Sequence, residues 1–173
     1  AAMKKGKKME RYKVILVDDE AEVIDMIEKK IHWNDLGFEV AGSATNGVKA
    51  LELVEKLQPD VVLTDIKMPY MDGLELARKL NQDYPNIYIM LCTGFDEFEY
   101  AKEAVHLEIK EYMLKPISAT ELSDSLVKLK NTLDKEREEK LKEIYEGLEE
   151  IKDQLTALID EYEEEETHTG KAD

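Results

Sequence analysis

Cysteine is almost missing from this chain of 173 residues; Cys92 stands alone. That excludes an intramolecular disulfide framework, and its place inside an apolar run reads as a buried core thiol. Long apolar runs are missing too. None approaches the roughly 18 residues of a membrane-crossing helix. The basic opening "AAMKKGKKMER" is followed only by "YKVILV" before "DDE", too short for the core of a signal peptide. Residues 1–10 therefore read as a basic leader or tag-like segment, with Met9 able to serve as a native start. A cytoplasmic location and no membrane partner are expected. Basic charge is scarce: 24 Lys and Arg stand against 40 Asp and Glu, a net charge of −16. Binding to nucleic acid rests on neutralising phosphate, so no direct nucleic-acid binding is expected of this chain. Mg²⁺ or a basic partner surface suits it better. The histidines, His32, His106 and His168, have neither metal-ligand spacing nor an acidic helical setting for phosphotransfer, and read as surface residues.

What is present is an alternation. The runs 13–17 "KVILV", 38–44 "FEVAGSA", 61–64 "VVLT", 87–91 "IYIML" and 111–115 "EYMLK" read as strands. Several lack a polar alternate face, as strands do in a sheet covered on both sides. Helical patterns lie between them. Val23, Ile24, Ile27 and Ile31 share one face, as do Val48, Leu51, Val54 and Leu57; "GLELARKL" follows Asp72-Gly73, and "FEYAKEAVHL" follows Asp96. Glycines and the four prolines punctuate the joints. Five such alternations predict an α/β fold: a flavodoxin-like, doubly wound, five-stranded parallel sheet, (βα)5, with an extended C-terminal helix.

That last helix is predicted to start near Ser118 or Ala119 and to run to about Tyr162. Leu122, Leu126, Leu129 and Leu133 form its first stripe. Residues 134–140 carry no apolar side chain. Leu141, Ile144, Leu148, Ile151, Leu155, Leu158 and Tyr162 then repeat at steps of three and four. Arg137 and Lys140 can carry the stripe across the gap as a stutter. Tyr145 and Ile159 widen it, which favours a bundle of three or more helices or packing onto another surface. The predicted organisation is a compact domain over 11–133, a helical coiled-coil-like extension over 134–163, and a flexible acidic tail over 164–173. The chain is expected to self-associate.

Ligands of doubly wound sheets bind beyond the carboxyl ends of the strands. There the first strand ends in Asp18-Asp19-Glu20, the third in Asp65, the fourth in Thr93-Gly94 and the fifth in Lys115-Pro116. Crowded carboxylates repel one another, and Mg²⁺, with its taste for oxygen ligands, relieves the conflict. A strand-end carboxylate can also be a nucleophile for phosphoryl groups, with a cation, the Lys115 ammonium and the Thr93 hydroxyl stabilising the transferred group. Each residue has a plainer reading. Asp19 can cap the helix that follows, Asp65 can be a solvated loop residue, Thr93 can satisfy a backbone group, and Lys115-Pro116 can be a tight turn with a cis bond. Their convergence at four strand ends is what favours chemistry.

The segments "VDDE", "TDIKMPYMDGLEL", "CTGFDEFEYAKEA" and "EYMLKPI" resemble the signatures of the receiver domain of two-component response regulators, over about residues 10–130. "IHWNDLGFEV" and "TGFDEFEYAKEAVHLEIKEYMLKP" are most similar to receivers that precede AraC-type DNA-binding domains. The resemblance implies that Asp65 is the phosphoacceptor, served by a sensor histidine kinase. It implies that Asp18, Asp19, Asp65 and the main-chain carbonyl of Lys67 hold Mg²⁺. Thr93 would be the switch hydroxyl, Lys115 the phosphoryl-stabilising lysine and Tyr112 the switch aromatic, although Tyr112 also reads as a plain core aromatic. Lys67 and Phe95 occupy positions that tune dephosphorylation. The switched surface would lie near residues 97–118. Transcriptional control is expected of a parent protein rather than of this chain, since two helix-turn-helix units do not follow within it. Two other functions compete. A Mg²⁺-dependent phosphatase of the haloacid-dehalogenase class needs a second carboxylate where Lys67 stands. A coiled-coil assembly module would leave the acid pocket merely binding a cation.

Overall fold

The computed structural model describes residues 10–94, residue 102 and residues 107–170. Phe95, His106 and almost all of the helix expected near 97–107 lie outside the described residues. So does most of the basic leader.

Five strands form one sheet: β1 (Tyr12–Val17), β2 (Phe38–Ala44), β3 (Val61–Asp65), β4 (Tyr88–Thr93) and β5 (Glu111–Leu114). Their spatial order is β2-β1-β3-β4-β5, and every pairing is parallel. Every residue of β3 and β4 is buried, which explains their unbroken apolar runs. Successive side chains point to opposite faces. Ile15, Val17, Val62 and Ile89 enter a core with Ala50 and Val54 of α2 (Gly47–Leu57) and Leu76, Ala77 and Leu80 of α3 (Gly73–Asp83). Leu16, Leu63 and Cys92 instead line a narrow space with Ile24 and Ile27 of α1 (Ala21–Lys30). The doubly wound reading is thus visible residue by residue.

Two helical expectations need correction. Val48 is exposed rather than part of the buried stripe of α2, which is Gly47, Ala50 and Val54. Gly47 is pressed so closely on Met71 that it takes the buried position itself. Asp19 does not cap α1. Glu20 is the N-cap residue without a side-chain cap bond, and the Asp18 carboxylate accepts the Glu20 N–H instead.

The final helix, α4, spans Ala119–Thr169. The chain divides within it into two compact units: the residues through Lys128, and those from Leu129 onward. Leu122 and Leu126 in the first unit are fully buried. In the second, helix continues past Tyr162 through residues 164–169, where a flexible tail was expected. The Thr167 hydroxyl donates to the Glu164 carbonyl, and Thr169 donates to the Glu165 and Glu166 carbonyls. These are the backward bonds that a helical threonine makes to the carbonyl three or four residues earlier. Among the described residues no helix is long and apolar enough to cross a membrane.

Candidate functional site

Register brings the acidic residues together. Val17 of β1 lies beside Thr64 of β3, so Asp18 and Asp65 leave the sheet side by side. One side-chain oxygen from each of Asp18, Asp19 and Asp65 lies within 4.8 Å of the other two. Asp18 is 4% exposed and Asp65 5%, whereas Asp19 faces solvent. Lys115 follows β5, and its N–H donates to the Thr93 carbonyl at 2.7 Å. This anchors the stem of a side chain whose Nζ reaches Asp18 Oδ2 at 2.9 Å and Asp65 Oδ1 at 3.2 Å. The Lys115-Pro116 bond is cis. The tight-turn reading of that dipeptide is met, and the turn leaves the Lys115 side chain facing the acids.

The carboxylates are oriented as well as gathered. Asp18 Oδ1 accepts the Glu20 N–H at 2.9 Å. Asp65 Oδ1 accepts the Ile66 N–H at 2.9 Å as well as facing Lys115. Among the described residues, nothing donates a hydrogen bond to Asp65 Oδ2. One oxygen is fixed and the other left bare.

The loop after β3 is held by two glycines. The Gly73 N–H donates to the Ile66 carbonyl at 2.7 Å, and a Cβ at Gly73 would overlap the carbonyl oxygen of Asp65. The Gly47 N–H donates to the Met71 carbonyl at 3.1 Å, and a Cβ there would come within 2.7 Å of Met71 Cγ. Asn46 and Asp72 cap α2 and α3, accepting the Lys49 and Glu75 N–H groups. In the sequence both glycines read only as punctuation between elements. The signal that marked Gly73 was Asp72-Gly73, a cap and helix start placed soon after Asp65.

Electrostatics follow from this crowding. Burial, then the charge of Asp18, pushes the Asp65 carboxyl up to about 6, against the pull of Lys115 and the Ile66 N–H. Burial acts to lower the affinity of Lys115 for its proton, but the bond to Asp18 and the charges of Asp65 and Asp18 outweigh it and raise the pKa. Burial pushes the Cys92 thiol up to about 12, in keeping with an inert core residue. Among the described residues, a single ammonium against three carboxylates leaves the pocket short of positive charge. Hard oxygen donors, two buried and one open to water, fit Mg²⁺, which keeps part of its hydration shell.

The remaining candidates are placed as follows. Thr93 is buried, and its hydroxyl donates to the Met113 carbonyl at 3.5 Å. Tyr112 is 45% exposed on the edge strand β5, which removes its reading as a core aromatic. Lys67 is exposed in the loop two residues beyond Asp65.

Similarity to known proteins agrees with this geometry. Residues 14–127 match the response regulator receiver domain. The chain is 44% identical over 115 residues to the uncharacterized transcriptional regulatory protein YesN of Bacillus subtilis, covering 66% of this chain and 31% of that protein. It is 34% identical over 122 residues to the transcriptional regulatory protein HptR of Staphylococcus aureus, covering 70% and 48%. The chain thus spans less than half the length of these relatives. Among solved structures, the REC domain of AraT, a response regulator from Geobacillus stearothermophilus, superposes with a TM-score of 0.70 at 39% identity, covering 73% of this chain and 98% of that one. A two component transcriptional regulator AraC from Clostridium phytofermentans ISDg gives 0.67 at 32% identity, with the same coverage. With its parallel sheet, its acidic strand ends and this match over most of its length, the chain belongs to the response regulator receiver domain family.

Proposed function

We propose that Asp65 is the phosphoacceptor of a two-component response regulator, receiving a phosphoryl group from a sensor histidine kinase. The observation that carries this reading is the inequality of its oxygens: Oδ1 is tied to Ile66 and Lys115, while among the described residues Oδ2 is bare. In the transfer, Asp65 Oδ2 forms a bond to phosphorus as the bond to the donor imidazole nitrogen breaks. Mg²⁺, held by Asp18, Asp19, Asp65 and the Lys67 main-chain carbonyl, would neutralise charge on the transferred group. Lys115 keeps its proton and sits on the opposite side of the balance. The chain acts only on its own phosphorylation and dephosphorylation, in the cytoplasm, with Lys67 and Phe95 tuning the lifetime of the product. The absence of a carboxylate at position 67 argues against a phosphatase.

The switch follows from weak bonding. A hydrogen bond of 3.5 Å is at the limit of what counts as one. Thr93 therefore gives up Met113 at little cost when a phosphoryl oxygen is offered. Tyr112, next to Met113 and already half out of the protein, would move with it and alter the surface near residues 97–118. We read this as a shift between two packings. In a longer parent protein the output would be transcriptional control. The helical extension over 134–163, or the switch face, would join copies of the chain.

Incubation with acetyl phosphate and Mg²⁺ tests the assignment by intact mass. One phosphoryl group is expected on the native chain and none on Asp65→Asn. Undiminished labelling of Asp65→Asn would remove Asp65 from the role.

A further inference from the structure

The second half of α4 presents a wet apolar face. Leu141, Ile144, Leu148, Ile151, Leu155 and Leu158, with Tyr145, Ile159 and Tyr162 beside them, are between 49% and 68% exposed. Large side chains repeating on one helical face at this exposure call for a partner. The charges around them say which one.

We infer that this face packs against a second copy of the chain, with the two helices antiparallel. The inference deepens the self-association part of the proposed function and does not depend on phosphorylation. Antiparallel alignment about the middle of the seam sets Leu141 opposite the partner's Leu158, Ile144 opposite the partner's Leu155, and Leu148 opposite the partner's Ile151. Each pair occurs twice, so six apolar layers close without a polar intruder. The contact is self-complementary, as a twofold interface must be.

The flanks agree. In this register Lys140 meets the partner's Glu161 on both sides. Tyr145 meets the partner's Lys152, whose aliphatic stem and ammonium both suit an aromatic face. Gly147 meets the partner's Gln154. No flanking pair places like charges together. The acids of this segment (Glu143, Glu146, Glu149, Glu150 and Asp153 among them) lie off the flanks on the solvent side of the helix.

A parallel, in-register pair closes the same apolar layers but does worse on the flanks. It sets Glu161 against the partner's Glu166 on both flanks. It also stacks the run of residues 161–166, with five glutamates, beside its own copy. Flanking charges set the orientation of paired helices in this way. The antiparallel pair instead places that run beside residues 133–138, where two bases offset two of the three acids.

Light scattering on the full chain measures the mass. Twice the chain mass is expected at tens of micromolar, falling to a single chain mass in the double variant Leu148→Asp, Ile151→Asp. The orientation is read by oxidising single-cysteine additions on the exposed flanks, with buried Cys92 left in place. A mixture of Lys140→Cys and Glu161→Cys chains should form the mixed disulfide dimer, and neither should cross-link with itself. A single chain mass for the native protein, a mass unaffected by the double variant, or self-cross-linking of Lys140→Cys would overturn the inference. Phosphoryl labelling of Asp65 on the same samples keeps this outcome separate from that of the phosphoacceptor assignment.

Discussion

The strand ends of the receiver and the far half of α4 depart from ordinary burial in opposite ways. At the strand ends, carboxylates are buried: Asp18 and Asp65 are nearly sealed from water with a single lysine between them. Along the helix, leucines and isoleucines are wet while the carboxylates beside them are fully solvated. Buried polar groups and exposed apolar patches are the informative departures. Each marks a place where something else is expected to bind. The acid pocket lacks positive charge, and the helix lacks an apolar surface. A sheet built of buried strands can hold charge in a fixed array, whereas a lone helix can only offer a stripe.

The comparison is broken most completely at Asp65. Asp65→Asn should abolish phosphoryl labelling while leaving the mass of the assembly unchanged, which light scattering reads directly. A change in assembly would mean that the two regions are not independent in the resting protein.

Next in size is a pair of glycines, one in each region. Gly73→Ala forces a methyl group into the Asp65 carbonyl oxygen, and should cost about 3 kcal/mol or more in denaturant unfolding. Gly147 has nothing within 4 Å of where a Cβ would sit. Gly147→Ala should therefore stabilise the helix by roughly 0.5–1 kcal/mol, seen as a gain in helical signal on heating. Equal effects at the two positions would defeat the contrast.

Between those two glycines in magnitude lies a pH effect confined to the pocket. The Asp65 carboxyl is raised from 3.8 to about 6 in the folded chain. Between those values the folded state holds a proton that the unfolded state has released. Stability from this group is therefore present below about pH 4 and lost as pH rises through about 6, by on the order of 1–3 kcal/mol. Asp65→Asn should flatten this slope in metal-free buffer. Mg²⁺ should favour the ionised form and raise the melting temperature more at pH 7.5 than at pH 5. A melting temperature indifferent to Mg²⁺ at both values would contradict the metal assignment.

Much of the sheet was legible because burial on both faces leaves a strong trace. The strands β1 to β5 begin and end within two residues of their expected positions, and Asp18, Asp65, Thr93 and Lys115 come to one edge because parallel strands share a direction. The rest depended on geometry that spacing does not encode. Val48 fits the apolar period of α2 as well as Ala50 does, and only the closeness of Gly47 to Met71 decides which is buried. Asp18 rather than Asp19 takes the Glu20 N–H, a choice of rotamer rather than of sequence. Lys115 was expected near the acids, but its bridge between Asp18 and Asp65 needs distances. Helix beyond Tyr162 goes against the expectation that a chain end frays; the glutamates at 163–166 are good helix formers by propensity.

A free carboxylate has two interchangeable oxygens, exchanged by rotation about the Cβ–Cγ bond. The Ile66 amide and the Lys115 ammonium both hold the same oxygen of Asp65, and so remove that twofold symmetry. Rotation would break both contacts together. The side chain is therefore a directional group, with one oxygen acting as a hinge pin and the other as a pointer. The fold thus distinguishes the two oxygens before any partner arrives.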